Sequence, residues 1–130
     1  MNTPANLKYT QSDEWVKLDG NIATVGITDY AQEQLSDIVY VEITVSTGDA
    51  VKKSSLVATL ESVKAAADVN TPVSGTVVEV NEDLANTPEA VNSDPFGKAW
   101  LVKLELKDPS ELDSLMDAAA YESYCANRSH

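Results

Sequence analysis

Lys64 is the residue in this 130-residue chain whose setting points most directly to chemistry. It sits in the run Leu60-Glu61-Ser62-Val63-Lys64-Ala65-Ala66-Ala67-Asp68-Val69. Two strand-like stretches, Leu56–Glu61 and Ala66–Val69, bracket it; paired as a hairpin, they put Lys64 at the tip with its side chain in solvent. The small neighbours Ala65 and Ala66 leave the amine open to a modifying enzyme. An exposed lysine ammonium with a pKa of about 10.4 is a poor nucleophile and serves best as an attachment point. Read without wider context, Lys64 is more simply one of nine basic residues that happens to lie in a turn. Little else offers catalysis. The one cysteine is Cys125 and the one histidine, His130, is the last residue, so no histidine base, zinc cluster or Cys–His pair is expected inside the domain. Cys125 has no partner for an internal disulfide, which agrees with a reducing compartment. Both residues read as tail positions without a role.

The elements that must position Lys64 are mostly short strands. Glu14–Leu18 and Asn21–Ile27 flank Asp19-Gly20, a dipeptide that favours a type I′ hairpin turn. Thr28 is a candidate N-cap for a helix over Asp29–Leu35, with Asp29 placed well against the helix dipole. Ile38–Ile43 is a strand by its β-branched and aromatic content. Turn signals at Ser46–Asp49, Asn70–Pro72 and Ser74-Gly75 separate Leu56–Glu61 from Thr76–Val80. Residues 81 to 97, with Pro88, Pro95 and several Asn, read as a long surface loop. In Ala99–Leu106 alternation places Trp100, Val102, Leu104 and Leu106 on one face and Lys103 and Glu105 on the other. Asp108-Pro109-Ser110-Glu111 opens a C-terminal helix over about 109–125, with Leu112, Leu115, Met116, Ala119 and Ala120 as its apolar face. The expectation is one domain over 1–130, its core at about 7–106: mainly β, two small sheets, a short internal helix and a C-terminal helix.

Charge narrows the partners. Nine Lys+Arg against 21 Asp+Glu give a net −12, which repels phosphate backbones and anionic lipid, so neither nucleic acid nor membrane is expected. No apolar stretch approaches the roughly 20 residues that span a bilayer. The opening Met1–Lys8 lacks a basic region followed by an apolar run, so no signal peptide is expected and the cytoplasm is the expected compartment. A mitochondrial matrix location would require a removed transit peptide. An acidic carrier suits larger partners with basic patches, although solubility alone would also account for the charge.

Ordered motifs now identify the chain as similar to a known family. Tyr9-Thr10, Glu14-Trp15-Val16, Thr24–Ala31, Asp37–Glu42 and Glu61-Ser62-Val63-Lys64-Ala65 are followed by Pro72–Val77, Val80-Asn81, Asn92–Gly97 and Trp100–Leu104. From Leu7 to Cys125 this order and spacing resemble the glycine cleavage H proteins. The resemblance implies a lipoyl/biotinyl-like barrel-sandwich hybrid with lipoate attached to Lys64. It implies a non-catalytic, monomeric carrier of the aminomethyl group of glycine. The implied partners are a pyridoxal-phosphate glycine decarboxylase, a tetrahydrofolate-dependent aminomethyltransferase, a flavin-dependent dihydrolipoamide dehydrogenase and lipoate-attaching enzymes. Glu14 matches an acidic residue of a cleft thought to shelter the loaded arm, and Ser12 and Asp68 match nearby positions more weakly. Four residues depart from the family pattern: Asp13 for histidine, Ser36 and Ala99 for glycine, and Phe96 for tyrosine. Asp13 would make the mouth of the cleft more acidic and offers a second carboxylate for the ammonium. A 2-oxoacid dehydrogenase lipoyl domain usually has Asp before its lysine, where this chain has Val63, and a biotin carrier has Met on both sides. A lipoyl relay, donating lipoate to other lipoyl proteins, shares the same motif.

Overall fold

The computed structural model describes residues 2–128. Among the described residues nine strands form two antiparallel sheets. The larger has the order β1 (Lys8–Tyr9), β2 (Glu14–Asp19), β3 (Ile22–Ile27), β9 (Val102–Leu106), β8 (Gly75–Val80) and β5 (Ala50–Val51). The smaller has the order β4 (Ile38–Ile43), β6 (Leu56–Ser62) and β7 (Ala66–Asn70). Val16, Val25, Val102 and Leu104 of the first sheet meet Ile38, Val41, Leu60 and Val69 of the second in one buried core. This is the expected two-sheet, mainly β fold, and it is not a closed barrel. His130 lies outside the described residues.

The β2–β3 hairpin forms where expected, but its turn differs. Asp19 pairs with Ile22, so the central residues are Gly20 and Asn21. Only Gly20 has positive φ, 61°. A type I′ turn needs two such residues; glycine at the first central position fits type II′. Helix α1 spans Asp29–Leu35 and Thr28 caps it, accepting from the Ala31 N–H at 3.2 Å. It ends at Ser36 with φ 68° and ψ −152°, a conformation that glycine alone adopts readily.

Three expectations are corrected. Gly75 is not a turn residue but opens β8, where an added Cβ would collide with the Glu105 carbonyl of β9. Residues 81 to 97 are not a plain loop: a 3-10 turn at Glu82–Ala85 and helix α2 (Ala90–Ser93) drive Leu84, Ala90 and Val91 into the core. Asn81 anchors that segment by donating to the Lys98 and Trp100 carbonyls, both at 2.8 Å. In β9 the alternation starts at Val102; Leu101 is buried ahead of the strand, and Trp100 is half-buried with the Lys103 ammonium 4.8 Å above its ring.

The C-terminal span is two helical pieces rather than one. Asp108 caps a 3-10 turn, Pro109–Ser114, and Glu111 does not return to the cap; its carboxylate accepts from the Ser74 N–H and hydroxyl at 2.7 and 2.9 Å. Met116 then exchanges two backbone hydrogen bonds with Tyr9, both 2.8 Å, which pulls the chain out of helical geometry. Helix α3 (Ala118–Ala126) restarts at the Asp117 cap. Ala119 and Ala120 are exposed, and Tyr121 and Cys125 face inward instead. Those two join Leu7, Tyr9, Trp15 and Tyr30 in a second apolar cluster, where the Tyr9 and Tyr121 rings stack at 4.7 Å. Cys125 is therefore a core residue, not an idle tail position.

Candidate functional site

The Lys64 turn is held by Ser62. Residues Glu61 and Ala66 pair as the last rung of β6 and β7, and Ser62 N–H donates to the Ala65 carbonyl at 2.7 Å. The Ser62 hydroxyl oxygen accepts from the backbone N–H groups of Lys64 and Ala65 at 3.3 and 3.0 Å. A serine side chain thus completes the tight turn that the backbone alone leaves open. Lys64 is exposed at the tip, beside Val63 at 67% exposure. Val63 N–H also donates to the Asp37 carbonyl at 3.1 Å, tying the tip to the residue before β4.

Glu14 is built the opposite way. It is buried, at 3% exposure, where β2 begins. Its Oε1 accepts from the Thr10 hydroxyl at 2.7 Å and the Ser12 hydroxyl at 2.6 Å. Its Oε2 receives one long contact, from the Asn70 N–H of β7 at 3.4 Å. Among the described residues no cation is in ion-pair contact with it. Burial pushes its pKa above the ordinary carboxylate range, while the Ser12 and Thr10 hydroxyls and the Asn70 N–H oppose that shift. The result is a carboxylate with one satisfied oxygen and one nearly open.

Ser12, Glu14 and Asp68 all line one small cavity of about 180 Å³. Its apolar wall comes from Ile27, Leu35, Leu60 and Val69. A second, wider groove of about 740 Å³ also reaches Glu14, past Thr10, Lys53 and Asn70. The small cavity is lined by Ala67, the second residue of β7 and three positions after Lys64 in the chain. The structure thus gathers the three expected cleft residues around one space, next to the hairpin that carries Lys64.

Asp13 does not behave as a free acid at the mouth. Its carboxylate is held by both Arg128 terminal nitrogens, at 2.5 and 3.0 Å, and by the Tyr121 hydroxyl at 2.8 Å. Its charge is already paired with Arg128, which leaves Glu14 as the unpaired acid of the two. Thr10, Asn70, Tyr121 and Arg128 were not singled out as site residues in the sequence. Thr10 carried a weak signal, a hydroxyl four residues before an acid; the other three are 56 or more residues from the groups they serve.

A family model described as glycine cleavage H-protein matches residues 7–128. The glycine cleavage system H protein of Thermotoga maritima is 54% identical over 119 residues, covering 92% of this chain and 95% of that one. The mitochondrial glycine cleavage system H protein 2 of Arabidopsis thaliana is 51% identical over 120 residues, 92% of this chain and 76% of that one. The crystal structure of a glycine cleavage system H protein from Mycobacterium marinum superposes with a TM-score of 0.85 at 29% identity, covering 95% of this chain and 98% of that one. The chain belongs to the glycine cleavage H-protein family, the lipoyl carriers of the glycine cleavage system.

Proposed function

We propose that Lys64 is the lipoyl attachment point and that the Glu14 cavity shelters the aminomethyl cargo between partner enzymes. The observation that carries this reading is the exposed amine at a hairpin tip whose second strand, β7, leads into a cavity holding a buried carboxylate. Lipoate, joined to Lys64 as an amide, supplies the dithiolane that takes up the cargo and undergoes thiol exchange. The residues present fit that group: apolar walls at Ile27, Leu35, Leu60 and Val69 suit a carbon–sulfur ring, and Glu14 suits an ammonium.

Thr10 and Ser12 occupy Oε1 and turn Oε2 toward incoming charge. A carboxylate at that place favours the protonated amine, which is a poor leaving group. Asp68, exposed on β7, adds a second negative charge to the same wall and Ser12 a hydroxyl. The chain itself breaks no bond. It tethers the reactive group, replacing diffusion of a free cofactor with a high local concentration.

The proposed partners are the pyridoxal-phosphate glycine decarboxylase, the tetrahydrofolate-dependent aminomethyltransferase, dihydrolipoamide dehydrogenase and a lipoate-attaching enzyme. A monomeric, single-domain carrier with a net −12 meets them through their basic patches, so association slows as salt rises. Cys125, buried as a free thiol, and the bacterial relatives favour the cytoplasm. Peptide mapping after lipoylation tests the attachment. Lipoyl on Lys64 alone, with the net charge moving from −12 to −13, is the expected result, and lipoyl on any other lysine overturns it.

A further inference from the structure

We propose that Arg128 is a positioning residue for the Glu14 cavity: by clamping Asp13 it holds the bend that aims Ser12 and Glu14, and it leaves Glu14 as the one unpaired carboxylate of that bend. This rests on the reading of Glu14 above. Asp13 lies between those two residues with φ 74°, in the left-handed region that side chains other than glycine, asparagine and aspartate seldom enter. Aspartate tolerates it better than most residues, but it still needs support from its surroundings. Here they provide that support. Asp13 N–H donates to the Thr10 carbonyl at 3.2 Å, and the Asp13 carbonyl accepts from Thr28 N–H at 3.0 Å.

The side chain is fixed from the C-terminal end. Tyr121 and Tyr124 lie one turn apart on α3, and Arg128 follows two residues after its last residue, Ala126. All three grip the bend. Tyr121 donates to Asp13 Oδ1, Tyr124 donates to the Gln11 carbonyl at 3.0 Å, and Arg128 takes both Asp13 oxygens as a fork. The guanidinium is itself caged, 4.2 Å over the Tyr30 ring and 4.8 Å over the Tyr124 ring. Thr28 extends the chain of bonds: its hydroxyl donates to Tyr121 at 2.7 Å while capping α1. The second ion pair among the described residues, Lys103–Glu79 at 3.7 Å, is far more exposed, at 35% and 56% against 23% and 15% for Arg128 and Asp13. The end of α3 and the residue just past its C-cap therefore turn Asp13 into a neutralised, rigid support for the carboxylate beside it.

The test compares ammonia release from full-length, lipoylated and loaded protein, without the folate enzyme, for wild type, Arg128→Ala, Glu14→Ala and the double variant. Arg128→Ala is expected to shorten the loaded lifetime several-fold, and to add less than twofold in the Glu14→Ala background. A lifetime unchanged by Arg128→Ala while Glu14→Ala shortens it overturns the positioning role and spares the Glu14 reading. Equal lifetimes for wild type and Glu14→Ala overturn the Glu14 reading, and this inference with it. A second readout needs no lipoate: carbon-13 NMR titration of the Glu14 carboxyl in the unmodified chain. The ionisable groups facing that carboxyl are Asp13 on its own bend, Asp68 from β7, and Lys53, Tyr9 and Tyr124 along the wider groove. Releasing Asp13 from Arg128 adds an unpaired negative charge next to Glu14. The midpoint is therefore expected to rise in Arg128→Ala, to fall back partly in Arg128→Lys, and to return in Asp13→Asn/Arg128→Ala. An unmoved midpoint in Arg128→Ala overturns the proposal.

Discussion

The Lys64 turn is assembled mostly from four consecutive residues, with the Ser62 hydroxyl bonding only to the turn itself and one outside tie, from Val63 N–H to the Asp37 carbonyl. The Glu14 bend instead draws on β7, the α1 cap and the far face of α3, and it buries its acid. A tip that must enter other enzymes has to be largely self-supporting, because side chains packed around it would block access. A carboxylate that must meet an ammonium out of water needs walls, and walls come from distant segments. The two regions therefore differ in how substitutions should act.

The largest effect belongs to the tip. Lys64→Arg is expected to abolish lipoylation and carrier activity completely, with no change in thermal midpoint, since an exposed turn side chain contributes little packing. Intact-mass and melting measurements on the same sample check both halves. A large loss of stability would break the contrast, by showing that the tip depends on packing after all.

Glu14→Ala comes next. It is expected to leave lipoylation intact and to shorten the loaded lifetime by about tenfold or more, because a charge-assisted bond of roughly 1.5–3 kcal/mol is removed. Ammonia release without the folate enzyme measures it. Glu14→Gln sharpens the electrostatic side. Burial raises the Glu14 pKa in the folded chain, so the native state binds more protons than the unfolded one between the two pKa values. Stability from this group is present below the unfolded carboxylate value, about 4.3, and is lost as pH rises through the higher folded value. Denaturant titrations across that window should show a downward slope in wild type that is weaker in Glu14→Gln.

Smaller effects test the supporting turns. Ser36→Gly relieves the φ 68°, ψ −152° strain at the end of α1 and is expected to stabilise the fold by about 1 kcal/mol, with lipoylation unchanged. Ser62→Ala removes the hydroxyl from the Lys64 turn, at an expected cost of about 0.5–1 kcal/mol, and should speed amide exchange at Lys64 and Ala65 alone. Faster exchange spreading to Asn70 would mean that the tip and the cavity are mechanically joined.

Much of this was legible in the amino acids because it is local. Alternation marked β9 from Val102 onward, Thr28 marked the start of α1, and the small residues around Lys64 marked an open hairpin tip. These features depend on neighbours within a few positions, whose side-chain direction the backbone period dictates. Glu14, Ser12 and Asp68 could be named from motif positions, but not the space they share, because that space exists only where two sheets and α1 close on one another. The same limit explains the errors. Met116 breaks the C-terminal helix because Tyr9, 107 positions earlier, claims its backbone, and Asp13 is quenched by Arg128, 115 positions away. A residue's type and local spacing decided what chemistry it could offer; burial and distant partners decided which oxygen was left to offer it, since desolvation and hydrogen bonding are set by what surrounds a group in space.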